Sequence, residues 1–202
     1  MKLIGSLTSP FVRKTRIVLA EKKIDYEFVI DSPWSPESKV PNVNPLGKIP
    51  VLILDDETVI FDSRVIVEYL DNMTPNNKLF PGTNRERIEA KRWEAVADGI
   101  CDAAVAVILE KKRPAKSLDK DWIARQMAKI GRSLEFMSAE LGEQAWCMGT
   151  HFGMADVAAG CALGYLDFRF PEYDWRVQHP NLARFAEKCL HRPAFADTVP
   201  HD

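Results

Sequence analysis

The feature that most constrains the fold is a change of hydrophobic period partway along the chain. Ile123, Met127, Ile130, Leu134, Met137 and Leu141 recur at steps of four and three, and Gly142 supplies a natural stop. That is one face of a long helix. Trp93, Ala97, Ile100, Ala104 and Ile108 form a second such stripe, ended by Pro114. Ala155–Leu166 is rich in Ala, Gly and Cys, as suits a helix buried in the middle of a bundle, and Leu182, Phe185, Ala186, Cys189 and Leu190 make a last helix stopped near Pro193. Ahead of residue 80 the pattern is mixed. A helix-period stripe does not serve as a strand, so the chain reads as an α+β domain followed by an all-helical bundle.

In the first part, Lys2–Ser6 is a short apolar run of strand type. Ser9-Pro10 opens a helix, since Ser caps well and Pro is favoured at the first helical position. Phe11, Thr15, Val18 and Leu19 follow at helical spacing. Tyr26, Phe28 and Ile30 alternate with Glu27 and Val29, a strand pattern. Ser32–Pro45 reads as a loop with one helical turn. Val51–Leu54 and Thr58–Phe61 flank the polar Asp55-Asp56-Glu57, a hairpin. Asp62-Ser63 then caps a helix whose stripe is Ile66, Tyr69, Leu70 and Met73. The order is β-α-β-loop-β-β-α. Thr74–Asn84, with Pro75, Pro81 and Gly82, reads as a linker between domains at 1–80 and 85–202.

Composition removes several function classes. The chain carries 27 Lys and Arg against 29 Asp and Glu, and neither half is basic, so no nucleic-acid partner is expected. No apolar run reaches the length of about 18 residues that a membrane span needs. Leu3–Ile4 is too short a stretch for a signal peptide. Cys101, Cys147, Cys161 and Cys189 are widely spaced, and His151, His179, His191 and His201 add no ligand spacing, so neither a metal site nor a dithiol motif is expected. Buried, reduced thiols in a cytoplasmic protein are the simplest reading.

Three stretches then stand out together: Ser9-Pro10-Phe11 at a helix start, Asn44-Pro45-Leu46-Gly47-Lys48-Ile49-Pro50-Val51-Leu52, and Phe61-Asp62-Ser63 leading into Arg64–Leu70. With Leu79-Phe80-Pro81 at the linker and Met154-Ala155-Asp156 in the second half, their order and spacing resemble the cytosolic glutathione S-transferases over nearly the whole chain. The match is closest to bacterial members of the YibF type, and the SPF start is similar to the plant tau class.

The resemblance implies a thioredoxin-like, glutathione-binding domain before a helical one. It implies that Ser9 donates a hydrogen bond to the sulfur of glutathione, with Thr8 the fallback hydroxyl. A free thiol has a pKa near ~8.5, so a donor at a helix start favours the reactive anion. Ser9 is equally suited to be a plain helix cap. Arg13, one turn on, reads either as a source of positive potential or as a solvated arginine. The family match implies a cis Ile49-Pro50 bond that presents the Ile49 backbone to the cysteinyl unit, and Lys48 beside it either meets a carboxylate or stays an exposed lysine. Ser63 would hold the γ-glutamyl carboxylate and Asp62 its ammonium, where many relatives have Glu; both also make ordinary helix caps. Asp156 reads as structural, opposite Gly153 at a helix cap, and Trp93 and Trp122 as core residues.

A small apolar electrophile would be the second substrate, in a pocket between the domains with Leu7, Phe11, Ile100, Cys101, Ala104 and Tyr165 as candidate lining. A homodimer is expected from the family. Two alternatives stand beside this reading. A glutathione-dependent peroxidase or oxidoreductase is one, although thiol exchange wants a cysteine at position 9. The other is a regulatory protein of the same fold that acts through protein partners.

Overall fold

In the computed structural model, which describes residues 1–202, strand β1 (Lys2–Gly5) leads into helix α1 (Pro10–Lys22) and then β2 (Glu27–Ile30), which lies parallel to β1. Parallel neighbours need a crossover, and α1 provides it. One helical turn, α2 (Val40–Val43), precedes β3 (Val51–Ile53), β4 (Val59–Phe61) and α3 (Ser63–Met73). The sheet order is β2-β1-β3-β4, with β3 antiparallel to both neighbours. Leu3, Val51 and Leu52 are fully buried, as are Val12, Ile17, Val18 and Leu19 of α1 and Ile66, Val67 and Leu70 of α3. Each such side chain contributes roughly 1.5–3 kcal/mol by leaving water. A Cβ on Gly5 would stand 2.6 Å from Val12 Cγ2. The missing side chain is what lets α1 approach the end of β1 this closely.

An ion pair buried at the far end of α1 organises the start of the linker. Lys22 Nζ donates to Asp71 Oδ1 at 3.2 Å and to the carbonyls of Asp71, Thr74 and Asn76 at 3.2, 3.1 and 2.5 Å. Asp71 in turn accepts the Leu79 and Phe80 N–H groups at 2.9 and 3.2 Å. Both charges are almost wholly shielded, so this many hydrogen bonds are what makes their burial tolerable.

The second unit holds α4 (Asn84–Lys111), a 3-10 turn (Ala115–Ser117), α5 (Lys120–Leu141), α6 (Met154–Arg169), α7 (Trp175–Gln178) and α8 (Pro180–Leu190). α4 packs on α5 and α6, and α8 packs on α5, α6 and α7. Ile130, Leu134, Met137 and Leu141 are buried, and α6 is buried from Met154 through Leu163. Asp156 is fully buried; its carboxylate accepts the Gly153 N–H at 2.8 Å and the Cys147 N–H at 2.7 Å. Gly153 cannot return a side-chain bond, so only half of a reciprocal cap is built. Trp93 is core, but Trp122 is 43 % exposed. It stands in the first turn of α5, one residue ahead of the half-buried Ile123 that begins the stripe.

The two units divide between Phe80 and Pro81, and the segment Arg192–Asp202 joins the first unit, not the second domain at 85–202 that the sequence predicts. The reason is packing: α9 (Pro193–Ala196) lies against α1 and buries Ala194 and Phe195.

Candidate active site

Strand register brings three separate segments to one end of the sheet's strands, an edge where the ladder stops. Val51 faces both Ile4 of β1 and Phe61 of β4 in antiparallel ladders. The chain leaving β1 (Ser6–Ser9), the chain entering β3 (Lys48–Pro50) and the chain leaving β4 (Asp62–Ser63) therefore all lie beyond the same end of the ladder. Ile49 precedes the pair by two residues, and Ser63 follows it by two.

Ser9 caps α1: its Oγ accepts the Val12 N–H at 3.3 Å. That uses a lone pair and leaves the hydroxyl proton to donate elsewhere. Thr8 Oγ1 lies 3.3 Å from Ser6 Oγ, so this hydroxyl already has a neighbour of its own. Arg13 is not solvated. It is 3 % exposed, donates to the Phe195 carbonyl at 3.2 Å and lies over the Phe195 ring.

The Ile49-Pro50 peptide bond is cis. Neither the N–H nor the C=O of Ile49 is bonded within the chain. The loop that presents them is shaped by Asn44, whose role does not show in the sequence alone. Asn44 is buried; its Nδ2 donates to the Lys48 carbonyl at 2.8 Å and its Oδ1 accepts the Leu46 N–H at 3.0 Å. The sequence shows only an Asn-Pro step followed by Gly47, which adopts φ +60° here. The Lys48 side chain is exposed.

Asp62 caps α3 by accepting the Arg64 N–H at 2.9 Å, from a backbone conformation with φ 67°. A non-glycine residue at this φ and ψ is strained by about 1–3 kcal/mol. Ser63, at the first helical position, is buried, yet its hydroxyl and backbone N–H have no partner in the chain. A hydroxyl and an N–H at the positive end of a helix form an anion-binding arrangement. With Asp62 beside them, the edge offers donors for a carboxylate and one carboxylate for a cation.

The four thiols belong to the second unit. All are free and buried. Burial, and then the neighbouring Asp156 carboxylate, push the Cys147 thiol well above its ordinary range, so it is not a ready nucleophile. Of the residues proposed to line an apolar pocket, Leu7 and Phe11 are half-buried in the first unit, while Ile100, Cys101, Ala104 and Tyr165 are buried in the second. Burial also raises the Tyr165 phenol, an effect partly offset by Arg169.

Residues 8–73 match the family model of the glutathione S-transferase N-terminal domain, and residues 120–188 match that of the glutathione S-transferase C-terminal domain. The uncharacterized GST-like protein YibF of Escherichia coli K12 is 40 % identical over 200 residues, covering 99 % of this chain and 98 % of its own length. A glutathione S-transferase of Methylobacillus flagellatus, crystallised with glutathione bound, is 48 % identical with a TM-score of 0.96, covering 99 % of each chain. A second, from Methylobacterium radiotolerans in complex with glutathione sulfonate, is 41 % identical with a TM-score of 0.96, covering 100 % of this chain and 95 % of that one.

Proposed function

The chain is a member of the glutathione S-transferase family, and from that premise we propose that it binds glutathione along the sheet edge and activates its thiol for attack on a small apolar electrophile. The observation that carries this reading is the set of unpartnered groups beyond the Val51–Phe61 pair: the Ile49 N–H and C=O, and the Ser63 N–H and hydroxyl. Their order matches the peptide. Ser63 would take the γ-glutamyl carboxylate, Asp62 its ammonium, the Ile49 backbone the cysteinyl unit, and Lys48 a carboxylate at the exposed end.

The free Ser9 hydroxyl would then donate a hydrogen bond to the sulfur. The thiol proton leaves to solvent, and the sulfur lone pair forms the new C–S bond, by displacement of a leaving group or by addition to a polarised double bond. Lowering the thiol pKa by about two units requires about 2.7 kcal/mol of preference for the anion. One hydrogen bond to a charged acceptor supplies about 1.5–3 kcal/mol, and the α1 terminus adds to it. Ser9 is favoured over Thr8 because its hydroxyl only accepts, from the Val12 N–H at the start of α1, whereas Thr8 shares a hydroxyl contact with Ser6 in which either can be the donor.

The disulfide-exchange alternative finds no support, with a serine at position 9 and every thiol buried. A homodimer working in the cytoplasm completes the proposal; no helix is long and apolar enough to cross a membrane. Calorimetric titration with glutathione tests the reading. It requires saturable binding, and no binding at millimolar glutathione overturns it.

A further inference from the structure

We propose that the C-terminal segment Arg192–Thr198 is a clasp that positions Ser9, with Arg13 and Arg192 as its two fastenings; the proposal rests on the role given to Ser9 above. The segment returns to the first unit after the whole helical unit has intervened in sequence, and it is fixed along α1 at two points. Near the end of the helix, Arg192 meets Glu21 through two parallel hydrogen bonds, Nε to Oε1 at 2.9 Å and a terminal nitrogen to Oε2 at 2.8 Å. The Glu21 side chain is only 9 % exposed, so this forked pair is partly shielded from solvent and geometrically specific. Two turns earlier, the Arg13 guanidinium donates to the Phe195 carbonyl at 3.2 Å and covers the Phe195 ring at 5.7 Å. Within the segment, the Thr198 hydroxyl bonds the Ala194 carbonyl at 2.7 Å and holds the short α9 turn closed.

The link to Ser9 is covalently short. The Arg13 backbone N–H donates to the Ser9 carbonyl at 3.0 Å, and the Val12 N–H holds the Ser9 hydroxyl oxygen at 3.3 Å. Whatever fixes Arg13 therefore fixes the turn whose first residue is Ser9. A buried arginine is costly unless its donors are used, and an apolar residue would fill position 13 if packing were the only demand. On the returning segment the Arg13 guanidinium grips one carbonyl and one ring, both of Phe195. Glutathione itself would be held by Ile49 and Ser63, on other segments. Loosening the clasp should therefore disturb the sulfur more than the affinity.

The test is a charge-reversal cycle, Glu21→Arg, Arg192→Glu and the double variant, read in two ways on the full chain. Amide hydrogen exchange without ligand reports the first turn of α1. Titration of the glutathione thiolate by ultraviolet absorbance reports the pKa of the bound thiol. We expect each single reversal to lose protection at Val12 and Arg13 and to raise the bound-thiol pKa by up to about one unit, a tenfold loss of thiolate at fixed pH at most. Glutathione affinity measured below the bound-thiol pKa, where both complexes hold the protonated thiol, should change less than about threefold. The double variant should restore both readings. Singles that match wild type in exchange and pKa, or a double that restores neither, would overturn the clasp. Should the reversals prevent folding, Arg13→Lys keeps the charge but loses the planar fork, and an unshifted thiol pKa in that variant overturns it equally. A wild type that binds no glutathione would sink the functional reading, while the exchange data would still decide the clasp.

Discussion

Ile49 and Ser63 stand beyond the same Val51–Phe61 pair, one on the chain entering β3 and the other on the chain leaving β4. Both keep backbone groups that no part of the chain satisfies. Two unpaired groups brought together by register, from segments separated in sequence by a hairpin, are the core of the proposed peptide site. Ser63→Ala should weaken glutathione binding about 10- to 100-fold, the worth of a hydrogen bond to a charged group. Its melting temperature should stay near wild type, because the hydroxyl has no internal partner. Calorimetry and a thermal melt decide this, and an unchanged dissociation constant would remove Ser63 from the site.

Asp62 serves two ends that can be separated. Asn caps a helix about as well as Asp, so Asp62→Asn should keep the bond to Arg64 N–H and shift stability by less than about 0.5 kcal/mol. The charge that would meet the ammonium is lost, and affinity should fall several-fold. A variant that binds normally would restrict Asp62 to capping.

Gly5→Ala forces a methyl group into Val12. Overpacking of this kind costs about 1–3 kcal/mol, and denaturant unfolding should show it. Val12→Ala opens the space, so the pair of substitutions should be less damaging than the sum of the singles. Strict additivity would mean that the contact is not what places α1.

The Lys22–Asp71 pair makes a sharper prediction about the linker. Lys22→Met leaves a buried carboxylate without its cation and should cost about 3–5 kcal/mol. Equilibrium unfolding measures it, and a loss under about 1 kcal/mol would contradict the structural role given to the pair.

Asp156 should depend on pH in the sense opposite to a salt-bridged carboxylate. Burial is the largest influence on it and raises its pKa, with the Cys147 and Gly153 N–H groups opposing. The folded protein then binds this proton more readily than the unfolded chain. Its contribution is fully present below the ordinary carboxylate range and is lost as pH rises through the raised folded value. The stability of wild type minus that of Asp156→Asn should therefore fall as pH rises through the acidic range and level off above it. A difference that grows with pH would reverse the assignment.

The sequence made the architecture legible because period is a local signal. The stripe from Ile123 to Leu141 became α5, and the small residues of Ala155–Leu166 became a helix buried on all sides. Caps were equally local, and Ser9 and Asp62 each receive an N–H as their residue type suggests. What stayed hidden was set by contacts distant in sequence. Arg13 lies 182 residues from the carbonyl that it grips, and nothing near position 13 distinguishes it from a solvated arginine. The return of Arg192–Asp202 to the first unit has the same cause. Trp122 was misplaced because its type suggests a core while its position, just ahead of the stripe, puts it outside one. Asn44 went unread because its work is done on the backbone of its neighbours.

The central claim is that Ser9 turns bound glutathione into a thiolate, and a pH titration of the complex followed by thiolate absorbance tests it most directly. The account predicts a bound-thiol pKa about two units below the free value near ~8.5. Ser9→Ala should move it back toward that value with glutathione still bound, while Thr8→Val leaves it where wild type has it. An identical bound-thiol pKa in wild type and Ser9→Ala would contradict the account.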